Sequence, residues 1–105
     1  MREDRIAKLK ALLERESNDS FIRYALALEY AGANEPAQAL ALLEDLVHRD
    51  PSYMPAYQQL GYFYQKLGRR EEAVSAFRRG MEIATQQGDH HARSEMQDAL
   101  DDMES

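Results

Sequence analysis

The chain has 105 residues, 44% hydrophobic and 30% charged, and 19 acidic against 13 basic residues give a formal net charge of −6. This is the balance of a folded chain of single-domain size, and its acidic excess argues against nucleic acid or an anionic membrane surface as partner. The absence of cysteine excludes disulfides and thiolate metal sites, and no stretch approaches the ~20 apolar residues of a membrane span.

Glycine and proline punctuation, with a helical apolar period and no strand-like alternation, predicts six helices at 3–16, 19–32, 36–49, 53–67, 70–86 and 89–103. In the first, Ile6, Leu9, Leu12 and Leu13 fall 34 residues before Leu40, Leu43, Leu46 and Val47. It therefore reads as the second helix of an incomplete unit, docked through that face and not a frayed tail. The segment "ESNDS" that follows supplies N-cap oxygens for the next helix. In the second and third helices, Leu26, Ala27, Tyr30, Ala39 and Leu43 recur 34 positions later as Leu60, Gly61, Tyr64, Ala73 and Phe77. Asn34 maps to Gly68, and both residue types tolerate the left-handed conformation that ends a helix. The sixth helix falls out of phase. A one-residue insertion near "TQQGD" turns Ala92, Glu95, Met96 and Ala99 inward with Leu100 and Met103 beside them. Arg93, Gln97, Asp98, Asp101 and Glu104 then face outward, as on the cap of a repeat array.

The repeat is a packing code. Tyr57, Leu60 and Tyr64 line one stripe of a helix, and Ala73 and Phe77 line a stripe of the next. Gly61, Ala73 and Gly80 are small where helices approach closely, and the large rings fill what is left. The pattern Tyr57-x-x-Leu60-Gly61-x-x-Tyr64, followed by Ala73, Phe77 and Gly80, resembles the tetratricopeptide repeat. The preceding unit matches at Leu26, Ala27, Tyr30, Ala39 and the closing Pro51. It departs at Arg23, which stands in the aromatic slot of Tyr57, and at Leu46, where a small residue is usual. The second unit has Thr85 in place of the closing proline. The resemblance implies an all-α fold of antiparallel helix-turn-helix repeats stacked as a short right-handed α-solenoid. Its parts would form one domain over 1–105: a half-repeat helix at 3–16, repeats at 20–53 and 54–87, and a capping helix at 89–103.

The same resemblance implies a non-catalytic protein-binding or scaffold module whose first helices line a concave groove for an extended peptide or a partner's helix. Its groove slots hold Phe21, Tyr24, Leu28 and Ala31 in the first repeat, and Pro55, Gln58, Tyr62, Gln65 and Lys66 in the second. The lysine and asparagine with which chaperone-binding members hold a terminal carboxylate are absent, so an apolar or aromatic-rich partner segment is expected. Tyr24 and Tyr62 lie off the packing stripe, and contact with the chain's own last helix, simple partial burial or partner recognition explains an aromatic there. The alternative function is self-association, in which the acidic last helix (Asp98, Asp101, Asp102, Glu104) approaches the arginine cluster of a neighbouring copy.

No motif of nucleophilic, phosphate-binding or metalloenzyme chemistry occurs, so no catalytic residue, cofactor or metal is expected. Adjacent His90 and His91 point in different directions on a helix, and His48 sits where it meets a helix C-terminus. Lys66, Arg69, Arg70, Arg78 and Arg79 read as an exposed face balanced by Glu71, Glu72 and Glu82, with Arg78 and Glu82 as an i,i+4 pair. Without interleaved aromatics this cluster does not suggest a single-strand binder. The charged N-terminal segment lacks the apolar run of a signal peptide. The expectation is a cytoplasmic protein, monomeric or weakly homo-oligomeric, with a protein or peptide partner and neither nucleic acid nor membrane.

Overall fold

The computed structural model of the chain describes residues 2–104. Among them are six α-helices and no strand: α1 Arg2–Arg15, α2 Ser20–Gly32, α3 Pro36–Arg49, α4 Met54–Lys66, α5 Arg70–Gln87 and α6 His90–Glu104. Every end lies within one residue of the expected bounds. No helix among the described residues is long and apolar enough to cross a membrane.

Local chemistry sets these ends. The Asp19 carboxylate accepts a hydrogen bond from the backbone N–H of Ile22 at 2.9 Å and caps α2. Pro36 and Pro55 occupy the first turns of α3 and α4, where a missing N–H costs nothing. α2 and α4 end over the same left-handed residue, Asn34 at φ 61° and Gly68 at φ 74°. The N–H of Glu35 then reaches the Tyr30 carbonyl at 2.9 Å, and that of Arg69 the Tyr64 carbonyl at 2.8 Å. The 34-residue beat is thus a repeated hydrogen bond as well as a repeated composition. Replacing Asp19 by alanine is expected to lower stability by about 1 kcal/mol in urea unfolding, the usual loss on removing an N-cap oxygen.

The chain forms two compact units, Met1–Pro51 and Ser52–Ser105. In the first, α1 packs on α2 and α2 on α3. Leu26, Ala27, Ala39, Leu43 and Leu46 are buried, so the large residue at 46 is accommodated in the core. Glu29 of α2 holds α1 through Arg2 at 3.2 Å and Arg5 at 3.0 Å. Ser20 Oγ donates to Asp50 at 2.6 Å, tying the start of α2 to the end of α3. Ile6, Leu9 and Leu13 are only half-buried, and Leu12, expected on the docked face, is exposed. A helix resting on one neighbour covers a narrow stripe, and Leu12 falls beside it.

In the second unit, α4 packs on α5 and α5 on α6. Phe77 is fully buried, and its ring lies over Gly61: a β-carbon placed there would fall 2.6 Å from Phe77 Cδ1. Gly80 is small for a matching reason, because a β-carbon there would meet Met96 Sδ at 2.6 Å. α5 has 18 residues where α3 has 14, which is the lengthening that the phase slip of the last helix requires. α6 buries Ala92, Met96, Ala99 and Leu100 and leaves Glu95 exposed, so the shifted phase is the one adopted.

Candidate partner-binding faces

α2 has two stripes of different fate. Leu26 and Ala27, with Arg23, form its buried side, while Phe21, Tyr24 and Leu28 share the opposite side at i, i+3 and i+7. Phe21 is 68% and Leu28 39% exposed; Tyr24 and Ala31 are half-buried. Large apolar groups thus remain on the stripe where a partner is expected.

On α4, Pro55, Gln58 and Tyr62 are half-buried, and Gln65 and Lys66 are exposed. Tyr62 is less available than its position suggests. Its ring meets that of Phe77 edge to face, with centroids 5.3 Å apart at 73°, a preferred aromatic geometry. Gln58 Nε2 lies 3.5 Å from both Tyr62 Oη and Glu95 Oε1, so α6 borders this stripe. Internal packing therefore accounts for an aromatic at 62, and Glu95 of α6 lies at the edge of the face. A cue existed in the sequence, because the phase shift that turns Met96 inward brings Glu95 beside α4.

The most unusual charge is Arg23, whose side chain is 7% exposed. One guanidinium nitrogen donates to the Ser17 carbonyl at 3.0 Å; Nε lies 3.3 Å from Asp45 Oδ2 but has no hydrogen-bond partner. Burial, and then the nearby Arg49, lowers its pKa, while Asp45 pulls the other way. Arg49 also holds Asp45, at 2.7 Å.

In the basic cluster of the second unit, Arg69 and Arg79 are paired with carboxylates. Arg69 stacks 4.7 Å over the Tyr64 ring and binds Glu72 through two hydrogen bonds of 2.6 and 2.7 Å, which hold the Glu72 carboxyl below the usual carboxylate range. Glu82 is paired at 2.9 Å with Arg79, not with Arg78 as the i,i+4 spacing suggests, and hydrogen bonds to Glu82 and Tyr57 raise the Arg79 pKa. His48 Nδ1 is 2.8 Å from the Glu44 carbonyl at the end of α3, and exposed His91 lies 3.6 Å from Glu95. Among the described residues no group of three His, Cys, Asp or Glu side chains is placed to hold a metal ion. One feature of the first unit lies outside the expected stripes: an apolar cleft of about 420 Å³ lined by Leu13, Leu26, Tyr30 and Leu42. Three helices contribute to it, so no single periodicity announces it.

The family model described as Tetratricopeptide repeat matches residues 1–84. The chain belongs to the tetratricopeptide repeat family. The matched stretch ends before α6 begins, in keeping with the altered phase of that helix. The tetratricopeptide repeat domain protein from Salinibacter ruber, known from a crystal structure, is 42% identical and superposes with a TM-score of 0.74 over 77% of this chain and 90% of its own. A Bordetella parapertussis protein solved in solution is 29% identical, with a TM-score of 0.75 over 90% of this chain and 83% of its own. A TPR repeat-containing protein of Pseudomonas aeruginosa is 29% identical over 91 residues, 87% of each chain. The tetratricopeptide fold generally mediates protein–protein interaction or scaffolding, and its members are generally non-catalytic.

Proposed function

We propose that this chain is an interaction module that binds an apolar or aromatic-rich peptide or helix of a partner protein on the outward stripe of α2, with the outward stripe of α4 as a second face of the same kind. In this reading 20–53 and 54–87 are the two repeats, the first helix is a half-repeat and the last a cap. The observation that carries the proposal is Phe21, 68% exposed, with Leu28 at 39% two turns further along α2. Large apolar side chains left uncovered together on one helix stripe mark a place where a partner gains by covering them. On α4, exposed Gln65 and Lys66 offer polar contacts to the same class of ligand.

The test begins with a pull-down from extract of the native cell, followed by titration of the recovered partner calorimetrically against purified chain. Phe21→Ser with Leu28→Ser should weaken binding at least about tenfold while the helical circular dichroism stays unchanged, because both residues are exposed. Equal affinity for the double variant and the parent would sink the proposal. Tyr62→Ala is a poor probe, since its ring also packs on Phe77.

A further inference from the structure

Away from those stripes, α5 and α6 border a cleft of about 440 Å³. Arg93, Gln97, Leu100 and Glu104 line it from α6, and Arg78 and Glu82 from α5. Among the described residues, the side chains of Arg78, Arg93 and Glu104 make no hydrogen bond or ion pair. The charges run in the same order on both helices, a cation followed by an anion: Arg78 then Glu82, Arg93 then Glu104. Turning a second copy by half a revolution reverses that order, so that each cation faces the copy's anion.

Whether one axis serves both pairs depends on their heights. The pairs are centred at residue 80 on α5 and between residues 98 and 99 on α6. α5 ends at Gln87 and α6 begins at His90, so the helices run antiparallel and residue 80 lies level with about residue 97. The approach of Gly80 to Met96 agrees with this level. The two centres therefore coincide in height to within about 3 Å, or two residues of helical rise. Their heights are compatible with a single two-fold axis through both pairs.

We propose that the chain forms a two-fold dimer through α5 and α6, in which Arg93 meets Glu104 of the second copy and Arg78 meets Glu82 of the second copy. The proposal gives self-association a definite interface, independent of the partner-binding stripes on α2 and α4. The dimer is weak. Each copy carries a net charge of −6, the pairs are solvent-exposed, and Glu82 is already shared with Arg79. Dissociation in the range of ~100 µM is expected of such a polar contact.

Sedimentation velocity of the whole chain from about 10 µM to about 1 mM spans that range. The parent should shift toward dimer with concentration. Arg93→Glu and Glu104→Arg, each alone, should lower the association constant at least about tenfold by placing like charges opposite one another. The two substitutions in one chain should restore it, because the reversed pair is again complementary. Phe21→Ser with Leu28→Ser should leave it unchanged, which separates failure of this interface from failure of the partner-binding reading. A parent that stays monomeric throughout, a dimer indifferent to both single reversals, no recovery in the double reversal, or a dimer lost with Phe21 and Leu28 would each overturn the proposal.

Discussion

Truncating Phe77 to alanine is expected to lower the unfolding free energy by about 3–5 kcal/mol. The ring is fully buried, lies on Gly61 and meets Tyr62 edge to face, so its removal leaves a cavity. Gly61→Ala should destabilise by about 1–3 kcal/mol for the opposite reason, since its new carbon has no room unless the ring moves. The two substitutions should not add. In the Phe77→Ala background the ring is gone, and alanine at 61 becomes neutral or stabilising by up to ~1 kcal/mol through its better helix propensity. Urea unfolding of the four-member cycle reads this directly. An unchanged penalty for Gly61→Ala in both backgrounds would show that the ring is not what keeps residue 61 small.

The second large effect concerns Arg23, which fills the slot that Tyr57 occupies 34 residues later. Its cation is buried, one N–H lacks a hydrogen-bond acceptor, and among the described residues Asp45 is the carboxylate at ion-pair distance. Asp45→Ala should therefore cost about 2 kcal/mol, less than for a fully buried pair because Asp45 is half exposed and also serves Arg49. Arg23→Met keeps much of the side chain's bulk without the desolvated charge, and should be neutral or stabilising by about 1 kcal/mol. In that background Asp45→Ala should lose less than about 0.5 kcal/mol, the scale of an exposed pair. A large loss on Arg23→Met, measured in the same urea series, would show that the guanidinium contributes net stability in its place.

These two sites differ in how much of them the residues disclose beforehand. The Gly61–Phe77 contact is foreshadowed by a small residue and a large one recurring in phase with Ala27 and Leu43. At Arg23 the repeat shows an arginine in an aromatic position, but not its burial or its missing hydrogen bond, which depend on α3 bringing Asp45 alongside. The pairing of Glu82 with Arg79 in place of Arg78 has a similar origin. Neighbouring residues on a helix point about 100° apart, and the packing of α5 decides which arginine reaches the carboxylate. Of the candidate face, its stripes were legible at helical spacing, whereas the different exposure of Phe21 and Tyr62 was not.

By itself the sequence determined the six helices, the turns at Asn34 and Gly68, the 34-residue beat and the phase slip of the last helix. All of these rest on periodicity and φ preferences, which act over a few neighbouring residues. Only the tertiary structure decided that Phe21 and Leu28 stay uncovered, that Tyr62 gives its ring to Phe77, that Leu12 faces outward and that Arg23 is enclosed. Burial is a property of whichever element comes to lie over a stripe, and no local pattern carries that information.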